Sequence, residues 1–490
     1  MARDWKDDRI AELEAQLAER DRQLAERDRE IAELKAQVAS LLARVAELEE
    51  RLRTSSRNSS KPPSSDGPGV KRRSKKPPSG RKPGGQPGHK RTERALVPEE
   101  KLRQRVDCIP ERCDQCNARL FGRDPEPQRH QVTHLPPIEP VTDEYRRHTL
   151  PCGACGSSTT GKLPPGVPTG HFGPSVIAVV AVLMGAYRQS KRLVSELLQD
   201  LFGLGMSVGS VVGCQDLASS ALEAPVAEAQ AYVEKQEVKY ADETGWREGA
   251  NRAKAWLWVV LTQAVALFRI QARRNAEAAK ALLGAVKGVL VTDRHGAYNF
   301  WPDVLRQFCW AHLKRQFEKI SERGGDSERI GKALLGETDR LFHFWHRVRD
   351  GTLKRSTFRV YMRTVQKRVE GALAEGAAIP HVKTSRTCRK LLRHADALWT
   401  FVYKEGVEPT NNGGERILRH GVILRKLTHG THSTNGSRFI ERILSVHATL
   451  RLQKRNVLAF VRQACEAALI GTPPPSLLPP SARADLDIAA

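Results

Sequence analysis

The chain has 490 residues, room for two or three domains around a sizeable core. Its 80 Lys and Arg against 56 Asp and Glu leave a formal net charge of +24, which favours a polyanionic partner because neutralised phosphates release counterions. A membrane protein is disfavoured for want of a run of about 18 apolar residues. The N-terminus lacks the apolar core of a signal peptide, and the odd count of nine cysteines argues against a disulfide scaffold, so a reduced, cytoplasmic, nucleoid-associated protein is expected.

Residues 1–53 read as a coiled coil. Ile10, Leu17, Leu24, Ile31, Val38, Val45 and Leu52 recur every seven residues, with Leu13, Leu34, Leu41 and Leu48 on the second seam. Two apolar seams on a charged helix argue for homo-oligomerisation. Residues 54–107 form a basic linker without periodicity, expected to be disordered. Its clusters Lys71, Arg72, Arg73, Lys75 and Lys76, then Arg81 and Lys82, suit the backbone of double-stranded DNA.

Residues 108–165 carry Cys113-x-x-Cys116 and Cys152-x-x-Cys155. Two such pairs can give four thiolates to one structural Zn²⁺, although the 35 residues between them exceed the gap of a compact zinc ribbon. Residues 166–230 are helical in pattern, with a glycine-bearing break suited to a helix-turn-helix-like, DNA-binding segment. They include Val176–Met184, a buried helix too short to cross a bilayer.

The region 231–470 has a different rhythm. A first strand is expected to end at Asp242, followed by a hairpin over 254–270, a helix over 275–283, a strand over 288–292 leading into Asp293, and a strand over 307–310. Three antiparallel strands, then a helix and a parallel strand, follow the ribonuclease H-like order, which gathers acids at strand ends. Residues of about 321–403 read as an all-helical insertion, after which Glu415 opens a helix. The proline-rich residues 471–490 read as a disordered tail. The fold class is multidomain α+β: coiled coil, zinc-finger-like segment, and a ribonuclease H-like α/β catalytic domain interrupted by helices.

Asp242, Asp293 and Glu415 are the candidate catalytic residues and ligands of two Mg²⁺ (or Mn²⁺) ions, the arrangement that attack on a phosphodiester requires. Glu243 competes with Asp242, but strand alternation turns one of the two away, and Asp242 is preferred. Taken singly, each acid also reads as ordinary: Asp242 and Asp293 as turn residues, Glu415 as the partner of Arg419 one helical turn on. Thr244, His312 and Lys314 flank the acids, and Asn411 and Asn412 are positioned to cap the glutamate's helix. Arg416, Arg419, Arg425 and Lys426 supply a basic neighbourhood for phosphates.

Several stretches resemble the insertion-sequence-66 transposases: Asn58-Ser-Ser-Lys-Pro-Pro-Ser-Ser-Asp66, Arg81-Lys-Pro-Gly-Gly-Gln-Pro-Gly-His89, Ala241-Asp-Glu-Thr-Gly-Trp246, Cys309-Trp-Ala-His-Leu-Lys-Arg315, Pro409-Thr-Asn-Asn-Gly-Gly-Glu-Arg416 and Gly436–Leu444. The resemblance implies DNA strand transfer by a DDE catalytic domain, with Asp242, Asp293 and Glu415 matching the family's acidic triad. It also implies accessory proteins from the same element. Gly413-Gly414 departs from the alanine usual in relatives and loosens the helix start. A ribonuclease H-like nuclease or resolvase, and a catalytically silent DNA-binding regulator, are the alternatives.

Overall fold

The computed structural model describes residues 4–52, 54–55, 58–59, 88 and 94–479. The basic residues Lys71, Arg72, Arg73, Lys75, Lys76, Arg81 and Lys82 lie outside the described residues. Among those described, no helix is long and apolar enough to cross a membrane.

The heptad segment is one helix, α1 (Asp4–Leu52), of 49 residues and about 73 Å at 1.5 Å per residue. Its seam residues Leu17, Leu24, Leu34 and Leu41 are exposed. Past the linker come β1 (Thr149–Pro151) and β2 (Ser158–Thr160), then helices α2 (Pro174–Gly185), α3 (Lys191–Phe202), α4 (Val208–Ala221) and α5 (Glu223–Glu234). The chain divides into two compact units: 72–163 with 191–211, and the remainder.

In the smaller unit β1 and β2 pair antiparallel, with Leu150 opposite Thr159, and the Ser195 hydroxyl of α3 donates to the Met206 carbonyl. Val97 and Gln131 exchange two hydrogen bonds, of 2.8 and 3.0 Å. The described part of the expected linker therefore carries specific contacts. In the larger unit Asn58 does so too, donating to Glu322 at 2.5 Å.

The larger unit is built on a five-stranded mixed sheet in the order β5-β4-β3-β6-β7. Its strands are β3 (Val238–Glu248), β4 (Ala253–Leu261), β5 (Ala266–Gln271), β6 (Val289–Thr292) and β7 (Arg306–Phe308), with helix α6 (Ala276–Leu283) between β5 and β6. β3, β4 and β5 run antiparallel, whereas β6 and β7 are parallel to β3. Leu257–Leu261 are buried without alternation, as expected for a strand covered on both faces. The mixed α+β class expected from the sequence is present.

One side of the sheet carries α7 (Trp310–Ser321), α8 (Gly325–Arg349), α9 (Arg355–Ala378), α10 (Val382–Arg393) and α11 (Asp396–Tyr403). Val291 and Phe308 of the sheet share one apolar core with Leu313, Leu334, Phe358 and Phe401. The Trp310 indole N–H donates to the Leu398 carbonyl at 2.8 Å, joining α7 to α11.

The chain closes with α12 (Asn412–Thr428), α13 (Thr434–Leu452) and α14 (Val457–Ile470). α13 covers the edge strand β5. Thr449, Ser445 and Glu441, spaced by four along the helix, accept the N–H groups of Ala266, Phe268 and Ile270 at 3.0, 2.8 and 2.6 Å. Helical period four against strand period two keeps this ladder in register.

The expected tail is partly a packed segment. Leu477 and Leu478 are buried, the Leu477 amide and Ser476 hydroxyl donate to Glu228 at 3.0 and 2.7 Å, and Gln453 donates to the Leu477 carbonyl at 2.9 Å. Two leucines among the prolines give it apolar surface to bury. Residues 480–490 lie outside the described residues.

Candidate active site

The parallel register aligns the site. Tyr240 of β3 pairs with Val291 of β6, and Thr292 of β6 with Phe308 of β7. Continued along the strands, that register sets Asp242, Asp293 and Cys309 level, at the carboxyl ends of the parallel pairings, where open α/β sheets form crevices. β3 itself does not end at Asp242, as the sequence suggested. It runs on to Glu248 because β4 remains its partner, with Asp242 opposite Val259.

Alternation separates Asp242 from Glu243. Glu243 is buried and committed inward: Arg274 Nε donates to it at 2.7 Å, and the Tyr298 hydroxyl donates to its other oxygen. Arg274 lies over the Trp256 ring and reaches Asp293 Oδ2 at 3.9 Å. Burial holds the Asp242 carboxyl well above the usual carboxylate range, and the charges of Glu243, Asp293 and Glu415 push it the same way. The three candidate acids therefore act on one another electrostatically. Asp293 accepts the His295 amide N–H at 2.8 Å, a turn that fixes the carboxylate just past the strand.

Glu415 arrives on the first turn of α12. Its Oε1 lies 3.4 Å from His312 Nδ1 and 3.8 Å from Arg315. Burial raises its carboxyl, with the Arg315 and Arg419 charges opposing and Asp293 adding to the rise. Burial, helped by Arg315 and Arg294, lowers His312 to about 4, so the ring is neutral at neutral pH. Glu415 Oε1 and His312 Nδ1 are buried with no hydrogen-bond partner among the described residues.

Asn411 stands at the N-cap position of α12, but its side chain makes no cap bond. It donates instead to the Ala241 carbonyl at 2.8 Å, while its backbone N–H reaches Cys309 Sγ at 3.2 Å. The bare Gly414 leaves space for this amide, since a Cβ there would lie 2.6 Å from Asn411 Oδ1. Asn412 is exposed.

The other expected residues divide. The Thr244 hydroxyl and Gly245 carbonyl accept from Arg425 at 3.0 and 2.5 Å, so Arg425 ties α12 to β3 and does not face outward. Lys314 pairs with Asp339 of α8 at 2.5 Å, turned from Glu415. Arg315, three residues from His312 and thus on its helical face, takes the place expected of Lys314. Arg416, Arg419 and Lys426 are exposed. Sequence reading missed Glu243's inward partners Arg274 and Tyr298, and also Cys309 and Arg315. Of these, Cys309 and Arg315 stood inside the Cys309–Arg315 stretch that carries the family resemblance, and the His312-x-x-Arg315 spacing was readable as well.

In the smaller unit the two cysteine pairs adopt the same turn. The Cys113 and Cys152 amides donate to the carbonyls five residues on, Ala118 and Ser157, and the amides of Asn117 and Gly156 donate back to the two cysteines. Asn117 and Gly156 both have positive φ, 59° and 73°. Amide donors from Cys116 and Gln115 lower the Cys113 thiol, and Ser157 followed by Cys152 lowers Cys155. Among the described residues, no three of the four sulfurs gather within 4.8 Å.

Comparison with known families matches residues 4–95 to a family of unknown function (DUF6444) and residues 169–438 to the Transposase IS66 family. No curated protein matches the chain. The second match spans more than half of the sequence and takes in Asp242, Asp293, His312 and Glu415, and the chain accordingly belongs to the Transposase IS66 family.

Proposed function

We propose that this chain is a DDE transposase with a ribonuclease H-like catalytic domain, which binds the ends of a bacterial-type insertion sequence, cleaves DNA and transfers the strand to a target. The observation that carries the reading is the convergence of Asp242, Asp293 and Glu415 from two adjacent parallel strands and a distant helix, at a place where burial first, and then the charges of Glu243, Asp293 and Glu415, raise the Asp242 carboxyl. The donor set is all oxygen, and one of its atoms, Glu415 Oε1, is buried with no hydrogen-bond partner among the described residues. That fits Mg²⁺ or Mn²⁺, and such ions would supply Lewis-acid activation of water and of a DNA 3′-hydroxyl.

The chain's own residues do the positioning. His312 and Arg315 hold Glu415 from α7, while Glu243 orients Arg274 beside Asp293. The exposed Arg416 and Arg419, together with Lys426, suit phosphate contacts. The exposed apolar seam of α1 supports a coiled coil pairing two protomers, so that both element ends are processed together. The basic linker and the helices of 166–230 would hold the end DNA. The two matching cysteine turns support one structural Zn²⁺, with tightening of the unit on binding. Accessory proteins from the same element are further partners.

The test is a cellular transposition assay supplying the element ends and accessory genes, with the natural chain against Asp293→Asn. Joined products from the natural chain alone are expected, with end binding retained by the variant. Joined products from both would refute the triad. Cut but unjoined ends would favour a nuclease or resolvase, and binding indifferent to Mg²⁺ without cleavage would favour a regulator.

A further inference from the structure

We infer that Cys309, His312 and Glu415 form a binding site for a thiophilic divalent ion, above all Zn²⁺, separate in its chemistry from the all-oxygen set of the three acids. Among the described residues it is the one group of three potential ligand atoms that lie within 4.8 Å of one another. Two of the three are already at ligand spacing: His312 Nδ1 and Glu415 Oε1 are 3.4 Å apart. Donors about 2.0–2.3 Å from a tetrahedral zinc ion sit roughly 3.3–3.7 Å from each other.

A second observation is independent of that clustering. Among the described residues, both His312 Nδ1 and Glu415 Oε1 are buried with no hydrogen-bond partner, a costly condition that a ligand relieves. The backbone prepares the geometry. Cys309 is the N-cap of α7 and His312 lies on its first turn, so both donors face α12 from one helix end. The Asn411 amide N–H directed at Cys309 Sγ would steady a thiolate from outside the coordination sphere.

The donor set decides which ion fits. A sulfur, an imidazole nitrogen and one carboxylate oxygen suit Zn²⁺ or Co²⁺ and are poor for Mg²⁺. On binding, the Cys309 S–H bond breaks, a zinc–sulfur bond forms and the proton leaves to solvent. No electron is transferred. The partly exposed Glu415 leaves the fourth position to water.

A consequence follows that rests on the proposed catalytic role of Glu415. Zinc bound here withdraws Glu415 from the acidic triad, so Zn²⁺ inhibits strand cleavage even in excess Mg²⁺.

The experiment equilibrates the full chain, Cys309→Ser and His312→Ala with Zn²⁺, removes free ion by gel filtration and counts zinc per chain. A parallel titration with Co²⁺ records the thiolate-to-cobalt charge-transfer band. Cys113, Cys116, Cys152 and Cys155 contribute equally to all three proteins, so only the difference counts. One zinc fewer in each variant, with a weaker cobalt band in Cys309→Ser, is expected. Equal zinc counts in natural chain and variants overturn the site. If Cys309→Ser does not fold, His312→Ala decides alone. A chain that never cleaves DNA would defeat the catalytic reading while leaving the zinc count, and this inference, intact.

Discussion

Glu441 of α13, fully buried, accepts the backbone N–H of Ile270 at 2.6 Å, so a side chain occupies the place of a sixth strand. With Ser445 and Thr449 it satisfies the outward-facing amides of β5, a row that would otherwise template pairing with another chain. Arg438 balances its charge at 2.6 Å. Glu441→Ala should destabilise the protein by about 1–3 kcal/mol, the cost of an orphaned buried donor, and Glu441→Gln, which keeps an acceptor, by less. Urea unfolding checks both, and equal midpoints for natural chain and alanine variant would sink the idea.

Arg315 and Lys314 are neighbours in sequence with opposite destinations. Arg315 faces Glu415 at 3.8 Å and Lys314 faces Asp339. Arg315→Ala should lower metal-dependent cleavage by about 10–100-fold, as loss of a partner that orients a metal ligand does, with a higher Mg²⁺ requirement. Lys314→Ala should leave cleavage unchanged. The reverse ranking would mean that the helix face is misassigned.

Lys239 is fully buried, donates to the Lys287 carbonyl at 2.9 Å, and has its pKa lowered to about 8 by burial. In the unfolded chain a lysine titrates near 10.4. Between about pH 8 and 10.4 the unfolded state therefore binds a proton that the folded state has released, and stability rises with pH across that window. The burial penalty is present in full below pH 8 and gone above 10.4. Stability of the natural chain relative to Lys239→Met should improve by about 2–3 kcal/mol from pH 8 to 10.4. A flat difference, measured by urea unfolding at each pH, would contradict the buried ammonium.

The two cysteine turns share one hydrogen-bond pattern, and none of their four cysteines is in a disulfide. With the proposed zinc ion at these turns, chelation, or Cys116→Ser, should increase protease cleavage within residues 94–163 and leave the sheet domain protected. Limited proteolysis read by mass spectrometry checks this, and identical cleavage with and without chelator would remove the metal from the account.

Strand and helix order from β3 to α7 was legible because the residues alternate or repeat at the periods of those elements. The charge excess, the heptads and the motif around each of the three acids were legible for similar reasons, since each is a property of neighbours along the chain, whereas the meeting of the acids is not. Other features belong to contacts far apart in sequence. Arg425 looked like a phosphate ligand until β3 offered it Thr244 and Gly245, 181 and 180 residues away. Asn411 looked like a helix cap until the Ala241 carbonyl offered a buried partner, and Leu477 looked like tail until Glu228 took its amide. Local composition sets which element a segment forms, through periodicity and backbone preference. Tertiary structure alone decided which polar groups are spent inside the protein and which face a partner, because a buried donor or acceptor must be satisfied by whatever the fold brings beside it.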